Sequence, residues 1–180
     1  RFMWPLQEIL LELYRYPKPV IAAVNGAAVG AGFSLALACD FIVAARTARF
    51  SMIFGQLGLV PDLGSSYLLP RAVGLPKARE LALTGDFVSA EEGAELGFVA
   101  SVTADEKLLS TALERAAAIA AKSPLASRLT KETFNQSLEL SMETLLSKEA
   151  LLQGILMASD DFREGVRAFR EKRPPSFRGH

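Results

Sequence analysis

One cysteine, one histidine and one tryptophan stand among the 180 residues of this chain, and the first two scarcities each remove a class of chemistry. Cys39 alone cannot form an intramolecular disulfide, and it suits a reducing compartment. With so few soft or imidazole donors and no clustered carboxylates, the sequence offers no ligand set for a metal. The histidine is His180, the last residue of a Pro/Arg-rich tail, where no packed triad would hold it. That excludes a serine hydrolase, although Gly32-Phe33-Ser34-Leu35-Ala36 has the outline of a degenerate nucleophile elbow. An excess of one charge is missing too: 20 Lys and Arg balance 20 Asp and Glu, so no net field favours nucleic acid or an anionic membrane. The longest apolar stretch, residues 20–39, is interrupted by Asn25, glycines and Ser34, too broken for a membrane span. The sequence opens at Arg1 without an initiator methionine or targeting segment, and it reads as a soluble, cytoplasmic protein or a fragment of one.

Half of the residues are hydrophobic, enough to bury a real core, so one domain, or one domain with a helical tail, is expected. Apolar periodicity predicts a helix over residues 4–14, stopped by Tyr16-Pro17-Lys18-Pro19. A strand over 20–24, a glycine turn, a buried helix to residue 38 and strands over 41–45 and 49–53 follow. Their apolar runs do not alternate, the pattern of strands covered on both faces. Residues 57–64 read as a loop, with helices over 65–72 and 76–84 after it. Ser89-Ala90-Glu91-Glu92 opens a helix that ends at Gly97, and 98–102 returns as a strand. From Asp105 the pattern is helical over 106–122, 124–138, 142–158 and 161–172, the last opened by Asp161 and Glu164 as a capping box. Two regions are therefore expected, 1–104 with the strands and 105–180 with the helices.

Between the first two strands stands Asn25-Gly26-Ala27-Ala28-Val29-Gly30-Ala31-Gly32, feeding a helix of small side chains. The first N–H groups of such a helix are unpaired and sterically open, so an oxygen gaining negative charge can approach them. Gly30, Ala31 and Gly32 read as an oxyanion site. They are not a dinucleotide fingerprint, because Leu35 stands where the third small residue is required. Among the acids, Asp40 reads as a capping or strand-joining residue and Asp86 as turn chemistry. Asp62 stands apart, the one charge in the apolar stretch 57–69. There it is partly desolvated and a stronger proton acceptor. The alternative is a helix N-cap, and the two roles are not exclusive.

Lys18-Pro19-Val20-Ile21-Ala22-Ala23-Val24-Asn25-Gly26, Gly30-Ala31-Gly32, Cys39-Asp40, Leu83-Thr84-Gly85, Ser89-Ala90-Glu91-Glu92, Gly97 and the tail from Arg163 to Arg173 stand in a familiar order. Over nearly its whole length the chain resembles the crotonase superfamily, the enoyl-CoA hydratase/isomerase family. The resemblance implies an α/β fold, a spiral of ββα units with a C-terminal helical region, assembled as a homotrimer or a hexamer built as a dimer of trimers. It implies an acyl-CoA thioester as substrate, with coenzyme A part of the substrate rather than a separate cofactor, and the carbonyl oxygen held by two backbone N–H groups. Ala31 matches one of those donors, and the other belongs to an earlier segment outside this sequence. Residues 1–104 would then be the C-terminal portion of the spiral, and 105–180 the region that mediates trimerisation and covers the acyl-CoA.

Hydratases of the family activate water with two glutamates, and the matching positions here hold Ser34 and Phe54, which disfavours hydration. Asp62 matches the acid of isomerases and dehalogenases in the family. Phe54, Leu57 and Leu63 would wall the substrate pocket against water. Phe169 and Lys172 match positions that touch acyl chain and CoA across a subunit boundary; the bland alternative is a packed stripe and a solvated helix end. The activity implied is isomerisation, of ring-1,2-epoxyphenylacetyl-CoA to the oxepin in phenylacetate breakdown or of Δ3- to Δ2-enoyl thioesters. An enoyl-CoA hydratase, a dehalogenase with Asp62 as nucleophile, and a catalytically silent trimer subunit are the competing readings.

Overall fold

A computed structural model describes residues 3–180, in two compact units. The first runs to Glu114 apart from Pro17–Pro19; the second holds Pro17–Pro19 and Arg115–His180. In the first unit α1 (Met3–Tyr14) leads into a motif of strand, corner, strand and helix that occurs twice. β1 (Ile21–Val24) turns at Asn25-Gly26 into β2 (Ala27–Val29), which feeds α2 (Ala31–Ala38). β3 (Phe41–Ala45) turns at Arg46-Thr47-Ala48 into β4 (Arg49–Ser51), followed by a 3₁₀ turn (Ile53–Leu57), α3 (Ser65–Val73) and α4 (Leu75–Thr84). β5 (Val88–Ser89), α5 (Ala90–Leu96), β6 (Ser101–Thr103) and α6 (Leu108–Ala120) complete the sequence of elements before the helical tail.

The two strands of each pair join different sheets. β1, β3 and β6 form one sheet, parallel throughout with β3 central. β2, β4 and β5 form the other, β2 parallel and β5 antiparallel to β4. This is the ββα spiral that the family resemblance implies. α2 is apolar almost all round, and Phe33, Ser34, Ala36 and Ala38 on it are buried. Its Phe33 ring meets Phe50 of β4 and Phe98 ahead of β6 in tilted contacts with centroids 5.1 and 5.0 Å apart, and Phe50 meets Phe98 edge-on at 5.1 Å. Val43 and Ala44 of β3 are wholly buried, as both faces of a parallel sheet must be.

The strand read over 98–102 is shifted to Ser101–Thr103, and four further details depart from the sequence reading. β2 occupies residues read as a glycine turn, because three small residues are too few to show alternation and their partner strand lies elsewhere in the chain. Residue 53 opens a 3₁₀ turn rather than ending a strand. The first unit extends past residue 104 to Glu114, because Leu108 joins the core, Ala112 is buried, and the Asp105 carboxylate accepts from the Thr47 N–H and hydroxyl at the β3–β4 corner. The fourth concerns the last helix.

The second unit contains α7 (Pro124–Gln136), α8 (Met142–Met157) and α9 (Asp160–Glu171), each opened by a serine cap, Ser123, Ser141 and Ser159. Lys148 on α8 donates to Glu132 and Gln136 of α7 at 2.9 and 2.8 Å. The capping box expected of Asp161 and Glu164 does not form. Ser159 caps α9 by accepting from the Phe162 N–H at 3.1 Å, so Asp161 already lies inside the helix. Asp161 is buried instead, accepting from the Arg178 and Gly179 N–H groups at 2.7 and 3.1 Å, while Glu164 takes both ends of the Arg173 guanidinium at 2.6 and 3.0 Å. Among the described residues no helix is long and apolar enough to cross a membrane.

Candidate functional site

The open end of α2 is fixed by its neighbours. Gly30 precedes the helix at φ 53° and ψ −119°, a backbone conformation that glycine adopts and L side chains resist. A Cβ there would meet only ordinary contacts, the Phe54 ring at 3.6 Å, so the torsions and not the space require glycine. The Gly30 N–H donates to the Ser51 carbonyl at 2.9 Å, tying the corner to the end of β4. The first helical turn closes with the Ser34 N–H on the Gly30 carbonyl at 3.0 Å. No side chain caps the helix, and Ala31 and Gly32 are exposed. Their N–H groups therefore stand at the positive end of the helix without intrahelical acceptors, the arrangement that receives a developing oxyanion.

Asp62 lies against this helix. It is half-buried, and its Oδ1 is fully buried without a hydrogen-bond partner. The cap of α3 is Gly64, and no side chain caps that helix, so the carboxylate is not used as an N-cap. The Asp62 main-chain carbonyl is held firmly. It accepts from the Ser65 N–H at 3.0 Å, the Ser65 hydroxyl at 2.7 Å and the Ser34 hydroxyl at 3.1 Å. The next two residues, Leu63 and Gly64, both adopt positive φ, 45° and 72°. For leucine this is a strained conformation, and it persists because the side chain is buried with Leu10 and Ala38.

The other residues singled out from the sequence fall into different settings. Phe54 is buried beside the Gly30 corner. Leu57 is 68 % exposed at the end of the 3₁₀ turn, and Leu63 is turned into the Leu10 cluster. Ser34 is wholly buried, its hydroxyl 3.2 Å from the Gly30 carbonyl and 3.1 Å from that of Asp62. Neither Ser34 nor Phe54 supplies a carboxylate to activate water. Asp40 joins strands, its Oδ2 accepting from the Val20 N–H at 2.7 Å. Phe169, 85 % exposed, and Lys172, which ends α9 at φ 53°, belong to the second unit. A cavity of about 180 Å³ opens between α3 and α4, lined by Met52, Pro61, Ser65, Leu69, Ala78 and Arg79 among others. The roles of Ser34 and Ser65 were not apparent from the sequence. The Ser65 bond is a local i, i+3 pattern that a helix-start rule could have found, but Ser34 meets Asp62 across 28 residues.

Comparison with known proteins places these features in context. The family model for enoyl-CoA hydratase/isomerase matches residues 2–180. The 1,2-epoxyphenylacetyl-CoA isomerase of Escherichia coli K12 is 44 % identical over 179 residues, 99 % of this chain and 67 % of that protein. The 2,3-dehydroadipyl-CoA hydratase of the same organism is 38 % identical over 96 % of this chain and 68 % of its own length. A crystal structure of an enoyl-CoA hydratase/isomerase from Cupriavidus metallidurans CH34 superposes with a TM-score of 0.91 at 43 % identity, covering 96 % of this chain and 65 % of that one. The chain thus spans about two thirds of the length of these relatives.

Proposed function

Because this chain belongs to the enoyl-CoA hydratase/isomerase family, we propose that its site isomerises acyl-CoA thioesters, with Asp62 as the proton carrier and the Ala31 N–H as one arm of the oxyanion hole. The observation that carries this reading is the buried, unpartnered Oδ1 of Asp62, a residue whose main-chain carbonyl meets Ser34 in the first turn of α2. A buried carboxylate oxygen left without a donor is available to take a proton.

For a Δ3-enoyl thioester, Asp62 removes a proton from C2, and the C–H electron pair moves into a dienolate whose charge rests on the thioester oxygen. The Ala31 N–H and a second donor outside this sequence hold that oxygen; losing one such donor costs about 3–4 kcal/mol of barrier, roughly 10²–10³ in rate. The same proton then returns at C4 to give the Δ2 isomer, so the carboxylate is regenerated. With the ring-epoxide of a phenylacetyl thioester, the same acid assists epoxide opening and expansion to the oxepin. Phe54, buried at the Gly30 corner, and Ser34, whose hydroxyl faces two carbonyls, supply no carboxylate at these two positions to deliver water, which favours isomerisation over hydration.

In the second unit, Asp161 and Ala168 are the buried residues of α7 to α9, while Phe134, Leu138, Met142, Leu151 and Phe169 are exposed. Such an apolar surface supports self-association as a trimer or a dimer of trimers. Phe169 and Lys172 would then reach the acyl-CoA of a neighbouring subunit.

The test is turnover of Δ3-enoyl-CoA, ring-1,2-epoxyphenylacetyl-CoA and crotonyl-CoA by the protein and by Asp62→Asn. Isomerisation should fall by about 10²–10⁴ in the variant, with crotonyl-CoA hydration weak in both. Unchanged isomerisation by Asp62→Asn, or hydration faster than either isomerisation, overturns the reading.

A further inference from the structure

We propose that Ser34 is a positioning residue for Asp62: its hydroxyl ties the loop that carries the acid to the first turn of the oxyanion helix. The inference rests on the functional reading above and goes one step further, to what holds the acid in register with the oxyanion N–H groups.

Ser34 is wholly buried and has one hydroxyl proton to give. Two carbonyls compete for it, Gly30 at 3.2 Å and Asp62 at 3.1 Å. A serine inside a helix commonly donates back to the carbonyl four residues earlier. Here that carbonyl already accepts the Ser34 N–H at 3.0 Å, which lowers its need for the hydroxyl. The Asp62 carbonyl also has other donors, the Ser65 N–H and hydroxyl, but both come from three residues along the same segment. Those bonds shape the turn without attaching it to anything. The Ser34 bond is a polar link that crosses from α2 to this loop, and it is made at the residue whose carboxylate does the chemistry.

Ser34 joins both halves of the site, its N–H on the Gly30 carbonyl and its hydroxyl on that of Asp62. Gly30 ends the corner that presents the Ala31 N–H, and Asp62 carries the proton, so Ser34 touches the carbonyl of each. A shift of the loop by a fraction of an ångström moves the acid relative to the bound thioester, and misplacement by about 1 Å can cost roughly 10²-fold in turnover. A small hydroxyl is suited to this place; a larger polar side chain would displace one of the two carbonyls it now meets.

Two measurements on Ser34→Ala test the role. Amide hydrogen exchange of the Ser65 N–H should quicken by about fivefold or more as the loop loosens, while the Val43 amide in the central strand exchanges as before. In isomerase turnover, kcat should fall about tenfold with KM within about twofold. In the Asp62→Asn background the same substitution should cost nothing further, because a residue acting through Asp62 has no effect once the carboxylate is gone. Unchanged Ser65 exchange overturns the inference, as does a loss of turnover that persists in full in the Asp62→Asn background. If Asp62→Asn itself keeps normal turnover, the functional reading fails and this role with it; if Asp62→Asn is inactive and Ser34→Ala keeps wild-type kcat, only the positioning role fails.

Discussion

A Cβ placed on Gly64 would stand 2.8 Å from the Cδ2 of Leu10, nearer than real side-chain carbons approach. Gly64 also sits at φ 72°, directly after the strained Leu63. Two constraints thus meet at one residue: the backbone must be left-handed, and the end of the Leu10 side chain must shift to admit a methyl group. Both keep the turn that follows Asp62 in one conformation.

Gly64→Ala is expected to destabilise the protein by about 1–3 kcal/mol, from the positive φ and the contact with Leu10 together. Urea denaturation measures this directly. Isomerase kcat should fall along with stability, because the turn that must move is the one beside the acid. Truncating Leu10 to Ala in the same background relieves the contact but not the torsion, and it removes packing that holds Leu63, so it should not restore the turnover.

Acid should loosen the second unit through Glu164. The Arg173 guanidinium, and after it the Ser176 N–H, hold the Glu164 carboxyl down from its ordinary 4.5 to about 2. A carboxyl lowered on folding stabilises the native state fully above its unfolded value, and the contribution disappears as pH falls through the folded one. The window is therefore from about pH 4.5 down to about 2. Thermal unfolding of Glu164→Gln should show a lower midpoint than the parent at pH 7, and the gap should close steadily across that window. A gap independent of pH would mean that the pair with Arg173 contributes nothing through charge.

Much of the architecture is legible in the chain because it is written locally. The run Phe41-Ile42-Val43-Ala44-Ala45 is a strand to the residue, since a continuous apolar stretch of that length between polar turns has few other fates. Ser89 and Glu92 mark the start of α5 with a capping box that forms as the spacing suggests. What the sequence obscures depends on partners far away. β2 is a strand only because β4 lies beside it. Asp161 looks like a cap until Ser159 takes that place and the backbone at Arg178 and Gly179 claims the carboxylate. Within the site, the open helix end at Ala31 follows from small residues in a row, and the isolation of Asp62 from its apolar neighbours. The direction of Leu63 is another matter: its side chain joins Leu10, an α1 residue, which no local pattern announces.

Restoring a glutamate at position 34, where hydratases of the family are expected to carry one, should fail to make a hydratase of this chain. Ser34 has no exposed surface, and its nearest polar neighbours, the Gly30 and Asp62 carbonyls, are acceptors that repel a carboxylate. A charge buried there without a partner costs about 3–5 kcal/mol. It also displaces the hydroxyl that links α2 to the Asp62 loop. Ser34→Glu is therefore expected to lower the urea midpoint and to weaken isomerisation, with no rise in crotonyl-CoA hydration. Phe54 blocks the second glutamate position with a buried ring in the main core, so the double variant Ser34→Glu/Phe54→Glu should be less stable still. A stable, hydrating Ser34→Glu protein would show that the carbonyls around residue 34 turn away to admit water, and that the preference for isomerisation resides elsewhere.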